Sequence, residues 1–162
     1  QMKNLEKNSS KLVIAIIVTN LFKHRNKIIN LSKNSKHNYS IFSDTTNISS
    51  IMNNSKIALM NGGNTRYELC KTGTPFINVP INNDQKKYSN FLLKMKVCFN
   101  YKYDNLENSY KFNKLVSLML KDVKKLQEKS IKMKNLFNDD GKKFLKNLIF
   151  KTLSSQKMHN AQ

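Results

Sequence analysis

The chain has 162 residues, 39% hydrophobic and 9% aromatic, which is enough for one folded domain and excludes wholesale disorder. Its net charge of +19 attracts phosphate-bearing partners, but the lysines are dispersed and arginine occurs only at Arg25 and Arg66. Nucleic-acid interfaces usually concentrate arginine among aromatic residues, so nucleic-acid binding is not expected. The two cysteines, Cys70 and Cys98, lack CxxC spacing and a nearby histidine cluster, so we expect no metal site and a reducing, cytoplasmic environment.

The first half of the chain predicts strands alternating with helices after a polar lead-in over residues 1–10. Residues 11–18 are apolar and rich in β-branched side chains, as in a central strand covered on both faces. This run is far shorter than the roughly 20 residues that cross a bilayer, and it lacks the cleavage pattern of a signal peptide. Thr19 and Asn20 are suited to cap a helix that ends near residue 34, and residues 37–42 predict a second strand.

The second half continues the alternation around a strand–helix–strand unit. The predicted elements are, in order, a short helix over 48–52, the central unit over 56–85, a helix over 88–95, a strand over 97–100, a helical region over 105–127 and a closing helix from Asp139. This order predicts an α/β fold, a Rossmann-like parallel sheet with helices on both faces. We expect a single domain over residues 11–153, followed by a polar tail over residues 154–162.

The central unit has the features of a phosphate-binding turn. Gly62 and Gly63, two of the chain's 4 glycines, lie between an apolar run and a helix that begins near Asn64 and Thr65. Consecutive glycines let a backbone approach a ligand, and a helix start offers unpaired amides to phosphate. Glu68, one turn into the helix, is able to accept two hydrogen bonds from a ribose diol. The same pattern also fits a tight turn with a solvated acidic residue, so these residues alone leave both interpretations open.

Residues 57–93 resemble the C-terminal domain of nucleotide-sugar enzymes of the GT-B architecture. The matching residues, in order and spacing, are Gly62, Gly63, Thr65, Glu68, Leu69, Gly73, Pro75, Asp84 and Gln85. The segment is most similar to the UDP-sugar hydrolase of pseudaminic acid biosynthesis and to the SpsG-like spore-coat polysaccharide proteins. It is more distantly similar to the lipid-linked N-acetylglucosaminyltransferase of peptidoglycan synthesis.

The resemblance implies the nucleotide-binding half of an enzyme that releases UDP from a UDP-linked deoxy amino sugar, or alternatively of a GT-B glycosyltransferase. The residues that would bind the nucleotide are Gly62, Gly63, Asn64, Thr65, Glu68, Ile41 and Phe42. The turn amides would hold the diphosphate and Glu68 the ribose, while the backbone at Ile41 and Phe42 would meet the uracil. Asp84 and Gln85 would approach the sugar or the phosphates, although simple helix capping is a second role for this pair. No cofactor is implied.

Two features depart from the hydrolase pattern. The first strand ends in residues 17–20, which contain no glycine, whereas the hydrolases have a glycine-containing turn there that faces the diphosphate. The catalytic histidine of that family belongs to an N-terminal domain that this sequence does not include. The chain's own His24, His37 and His159 lie beside no paired carboxylate or nucleophile, so we expect them to be surface residues.

Two hypotheses about function follow. In the first, the chain is the donor-binding half of a UDP-sugar enzyme, with an N-terminal GT-B half supplied by the same precursor or by a separate subunit. In the second, it is a stand-alone, non-catalytic module that binds a nucleotide or another anion. Residues 144–153 are basic and amphipathic and suit peripheral contact with an acidic membrane, but a packed closing helix with a solvated lysine face is the favoured interpretation.

Overall fold

The computed structural model describes residues 11–101 and 109–137. These residues form five strands and six helices, which alternate along the chain from β1 to α5 and are followed by α6; this order confirms the predicted α/β class. In order, the elements are β1 (Val13–Val18), α1 (Arg25–Lys33), β2 (Asn38–Ser43), α2 (Ile48–Asn53), β3 (Ala58–Met60), α3 (Thr65–Thr72), β4 (Phe76–Asn78), α4 (Asn83–Lys94), β5 (Phe99–Asn100), α5 (Ser109–Lys121) and α6 (Val123–Leu136).

All strand pairs in the described ranges are parallel. β1 pairs with β2 along its whole length, and β4 lies between β3 and β5 in a second, three-stranded sheet. The β3 register places Met60 opposite Asn78, so the loops that follow β3 and β4 leave the same edge of the sheet. Ligands of open α/β sheets bind at this carboxyl edge, so the glycine turn and the start of α4 are brought to the position where a site is expected.

The core is built around β4, whose three residues are all buried. Side chains alternate across a strand, so Phe76 and Ile77 point to opposite faces of the sheet. Phe76 belongs to one buried cluster, together with Met52, Leu69, Cys70, Leu92, Val97, Cys98 and Met133. Ile77 belongs to the other, together with Val79, Tyr101, Val116, Met119 and Leu126. Each fully buried aliphatic or aromatic side chain contributes about 1.5–3 kcal/mol, so this doubly covered strand is a rigid base for the loops at its end.

β1 is not the doubly covered central strand that its composition predicts. Its residues alternate between exposed and half-buried, with Val13 81% and Ile17 39% exposed. In the described ranges β1 has only β2 as a strand partner, and the face that carries Val13 and Ile17 is left open. An unbroken apolar run does not distinguish a strand that is packed on one face from one that is packed on both, because its side chains are apolar on both faces.

The start of α1 also differs from the prediction. The helix begins at Arg25, after a turn in which the amide of Phe22 donates to the carbonyl of Thr19 at 3.1 Å. His24 is the N-cap residue and makes no side-chain capping bond, so Thr19 and Asn20 do not cap the helix. The Asn20 amide instead donates to the carboxylate of Asp44, which explains why the chain turns here before it becomes helical.

The helical region predicted over residues 105–127 is two helices rather than one. α5 ends at Lys121, and α6 begins at Val123 and continues to Leu136, well beyond the predicted end. The break lies at Asp122, whose side chain accepts a hydrogen bond from the Lys125 amide at 3.0 Å. An aspartate in this role starts a new helix, because it satisfies an amide that has no partner within the helix.

The remaining predicted elements in the described ranges are confirmed, although α4 begins five residues earlier than predicted, at Asn83, and the last strand, β5, is limited to Phe99–Asn100. The predicted closing helix that starts at Asp139 lies outside the described residues. Among the helices that the structure describes, none combines the length and the apolar character needed to cross a membrane.

Candidate functional site

The turn between β3 and α3 requires glycine at its first position. Gly62 has a φ of +86°, in the left-handed region that residues with a side chain rarely adopt. A Cβ atom at Gly62 would lie 3.0 Å from Oδ1 of Asn78 and 3.1 Å from Cβ of Gln85. The turn therefore packs directly on the ends of β4 and α4, which fixes its backbone. Gly63 has a φ outside this region, and a Cβ there would meet only Asn61 Oδ1 at 3.5 Å.

The N-terminus of α3 is open to a ligand. Asn64, the N-cap residue, has helical φ and ψ of −63° and −22°, and its side chain makes no capping bond. The amides of Arg66 and Tyr67 are already bonded to the carbonyls of Gly63 and Asn64, at 3.3 Å and 2.9 Å. Within the described ranges, the amides of Gly63, Asn64 and Thr65 donate to no protein acceptor. Their free N–H groups, together with the positive end of the helix dipole, are suited to bind an anion.

The start of α4 borders this turn. Asn82 caps α4 by accepting a hydrogen bond from the Gln85 amide at 2.9 Å, and Gln85 Oε1 accepts one from the Ile81 amide at 2.9 Å. Gln85 thus has a structural role at the helix start, while its carbon chain lies against Gly62. Asp84 is exposed and lies 3.9 Å from the Lys87 ammonium. Asn82, and not Asp84 or Gln85, is therefore the capping residue.

The other predicted site residues, Glu68, Ile41 and Phe42, make no side-chain contact with the glycine turn that the structure describes. Glu68 lies in the first turn of α3 and is exposed, so its carboxylate is free to meet a ligand beside the turn. Ile41 and Phe42 lie within β2, where they pair with Ile16 and Ile17 in the two-stranded sheet. That sheet does not contain β3, so the contact of Ile41 and Phe42 with a base remains a prediction.

The carboxyl ends of β1 and β2 are joined by Asp44. This residue has a positive φ of 47°, and its amide donates to the carbonyl of Val18 at 3.1 Å. Its two carboxylate oxygens each lie 3.2 Å from the amide nitrogen of Asn20. The Asn20 amide, two residues after β1, therefore already has an anionic partner from within the chain, consistent with the absence of a glycine turn at this position.

Arg66 contacts the glycine turn, which the sequence did not reveal. Its side chain is only 6% exposed, lies over the rings of Tyr67 and Tyr88, and donates to the carbonyls of Gly62 and Gly63. Arginine is rarely buried without a partner, and one of its partners, Tyr88, lies 22 residues further along the chain. A local pattern cannot show such a contact.

The histidines and cysteines do not form a reactive centre in the described ranges. His24 is exposed as predicted, but His37 is only 4% exposed, and its Nδ1 accepts a hydrogen bond from the Leu12 amide at 3.2 Å. The prediction that His37 is a surface residue is wrong, because its ring links the residue before β2 to the residue before β1. Cys70 packs as a buried apolar side chain, as predicted, and burial, together with the nearby Cys98 thiol, raises its pKa to about 12. His159 lies outside the described residues.

Comparison with solved structures shows which fold the chain has. Among solved structures, the chain is similar to the crystal structure of WaaG, a glycosyltransferase involved in lipopolysaccharide biosynthesis, with a TM-score of 0.63 and 12% sequence identity. The similarity covers 86% of this chain and 45% of WaaG, so the chain spans less than half of that structure. The shared feature is the Rossmann-like fold of a GT-B C-terminal domain. A search of curated protein sequences finds no significant match.

The sequence itself matches a family over most of its length. Residues 1–149 match the glycosyltransferase family 28 C-terminal domain. Of the two activities that the resemblance implies, this match supports the glycosyltransferase and does not support the hydrolase. The chain belongs to the glycosyltransferase family 28 C-terminal domain family.

Proposed function

We propose that this chain is the donor-binding half of a GT-B glycosyltransferase and that its ligand is a UDP-linked sugar. The observation that carries the proposal is the open start of α3, where the amides of Gly63, Asn64 and Thr65 find no acceptor among the residues that the structure describes. The donor's diphosphate supplies the acceptors that these amides lack. Gly63 has no side chain, and a Cβ there would meet only Asn61 Oδ1 at 3.5 Å, so the backbone at this position is open to the phosphates.

The same geometry suits the departure of UDP. When the sugar is transferred, the bond between the anomeric carbon and the diphosphate oxygen breaks, and negative charge grows on the leaving diphosphate. Fixed amides and a helix dipole that point at this oxygen stabilise the charge without having to reorganise during the reaction. Glu68, on the exposed side of α3, accepts hydrogen bonds from the two ribose hydroxyls and so orients the nucleotide.

The start of α4 supplies the contacts to the sugar. Gln85 lies against the turn, and its Oε1 is engaged by the Ile81 amide, which leaves the Nε2 group as a hydrogen-bond donor toward the ligand. Asp84 precedes it on the exposed side of the first helical turn and accepts bonds from sugar hydroxyls. The backbone at Ile41 and Phe42 meets the base. An N-terminal half provides the acceptor site and the general base, in keeping with the fraction of WaaG that the chain spans.

Titration of UDP into the purified chain tests this proposal, by calorimetry or ligand-detected NMR. We expect saturable binding in the micromolar to low-millimolar range, which Glu68→Gln weakens by at least about tenfold, because a hydrogen bond to a charged group contributes about 1.5–3 kcal/mol. Glu128→Gln removes the same charge from the exposed side of α6 and should leave the affinity unchanged. The 2′,3′-dideoxy form of UDP should bind the wild type weakly and lose little more with Glu68→Gln. Absence of UDP binding would refute the proposal.

A further inference from the structure

A buried cation lies directly beneath the glycine turn. Arg66 is 6% exposed, and within the described ranges no carboxylate lies within ion-pair distance of its guanidinium. Placing an unpaired charge in the interior is costly unless other groups compensate for the lost water. The contacts that compensate for it indicate what this side chain does.

All of these contacts are to the turn or to two flanking aromatic rings. One terminal nitrogen, Nη1, donates to the carbonyls of Gly62 and Gly63, the latter at 3.2 Å, and Nη2 donates to the Tyr67 hydroxyl at 3.3 Å. The guanidinium carbon lies 4.6 Å from the Tyr67 ring centroid and 4.5 Å from that of Tyr88. Two rings from two different helices, α3 and α4, therefore both contact the cation and form what we call its clamp, and the cation in turn donates to two consecutive carbonyls.

Fixing these two carbonyls also fixes two amides. In a planar trans peptide, the N–H of the next residue points opposite to the carbonyl of the preceding one. The Gly62 carbonyl shares its peptide plane with the Gly63 amide, and the Gly63 carbonyl shares its plane with the Asn64 amide. Because Arg66 draws both carbonyls inward, it turns both amides outward.

We propose that Arg66 is a positioning residue that, clamped between Tyr67 and Tyr88, aims the Gly63 and Asn64 amides at the ligand's phosphates. The part of this inference that concerns the ligand rests on the proposed function, whereas the part that concerns the turn does not. In this role Arg66 acts through the two peptide groups and not through direct contact with the ligand. Its buried positive charge also favours an anion on the far side of the peptide planes.

Lysine cannot replace arginine in this role, although lysine occupies nearly all other basic positions of the chain. The guanidinium is planar, so it stacks between two rings while its edge donates to two carbonyls and a hydroxyl. An ammonium is a compact point charge that lacks this fork and is more strongly hydrated. Arg66→Lys therefore preserves the charge and removes the geometry.

The turn is tested first without ligand. ¹⁵N-labelled wild type, Arg66→Lys and Arg25→Lys are compared by amide chemical shift and hydrogen exchange. Arg25 is the other arginine and is exposed on α1, so its replacement is the matched control. We expect Arg66→Lys to change the amide chemical shifts of Gly63 and Asn64 by more than it changes those of the β4 residues. Arg25→Lys should leave the Gly63 and Asn64 resonances unchanged. If Arg66→Lys does not fold, Tyr88→Leu serves instead, because Tyr88 is 51% exposed and its loss opens one side of the clamp.

The ligand arm compares UDP with uridine, which has the base and ribose but no phosphate. We expect Arg66→Lys to weaken UDP roughly tenfold, the equivalent of one hydrogen bond to a charged group, and to leave uridine unchanged. A role in folding alone would weaken both ligands by the same factor.

The outcomes of these two experiments distinguish the positioning role of Arg66 from the proposed function. Unchanged Gly63 and Asn64 amides in the folded variants overturn the positioning role, as does an equal loss of UDP and uridine. Shifted amides together with no UDP binding by the wild type support the positioning of the turn and overturn the proposed function. Shifted amides with a selective loss of UDP support both.

Discussion

Replacing Gly62 by alanine should destabilise the protein and distort the turn. A non-glycine residue at a φ of +86° costs about 1–2 kcal/mol, because its Cβ approaches the following carbonyl. The new methyl group would also meet Asn78 Oδ1 at 3.0 Å and Gln85 Cβ at 3.1 Å, and overpacking of this kind costs about 1–3 kcal/mol. Loss of unfolded-state entropy returns roughly 0.4–1 kcal/mol, so we expect a net loss of about 2–4 kcal/mol.

Urea and thermal denaturation measure this loss. In a chain of this size each kcal/mol lowers the Tm by roughly 2–4 °C, so Gly62→Ala should lower it by roughly 5–15 °C. Gly63→Ala is the matched control, since its φ is not in the left-handed region and its Cβ would make only an ordinary contact with Asn61 at 3.5 Å. It should be neutral or slightly stabilising. Equal destabilisation by the two substitutions would refute the assigned geometry of the turn.

Two further predictions concern α6 and the core. Asp122→Ala should lower the free energy of unfolding, measured by urea denaturation, by about 1 kcal/mol. Asp122→Asn keeps a capping oxygen and should change it little. Equal effects of the two substitutions would contradict the role of Asp122 as the N-cap. Burial raises the pKa of Cys70 from 9.0 to about 12 and that of Cys98 to about 11, so a thiol reagent at pH 8 should label neither in the native protein and both in urea. As the pH rises, the thiols of the unfolded chain ionise before those of the native protein. The contribution of the two buried thiols to the free energy of unfolding is therefore full below pH 9 and is lost toward pH 11–12. A variant with both cysteines replaced by alanine should show a shallower decline of the free energy of unfolding at alkaline pH.

The central unit was predictable because its signals are local. A glycine pair between an apolar run and a helical pattern predicts the turn, since Gly62 adopts a φ that other residues avoid. The burial of β4 follows from a short apolar run bracketed by Pro75 and Pro80. The break at Asp122 also carries a local signal, because aspartate is a preferred N-cap, but the apolar spacing continues across it and hides the boundary.

The rest depends on contacts between distant parts of the chain. The exposed face of β1 depends on which elements pack against it, and its composition does not show this. The burial of His37 depends on the Leu12 amide, 25 residues away. The clamp on Arg66 requires Tyr88 from another helix. For the site this means that the turn could be predicted from the sequence, whereas the group that orients it could not.

The carboxylate of Asp44 has a consequence for the kinetics of ligand exchange. It occupies the Asn20 amide, two residues after the end of β1, so on the proposed binding mode the diphosphate is held by the α3 amides and gains no hydrogen bond from this one. A net charge of +19 increases the association rate of an anionic donor. Because the α3 amides alone hold the diphosphate, dissociation remains fast. On the proposed binding mode, this domain by itself would therefore exchange donors rapidly.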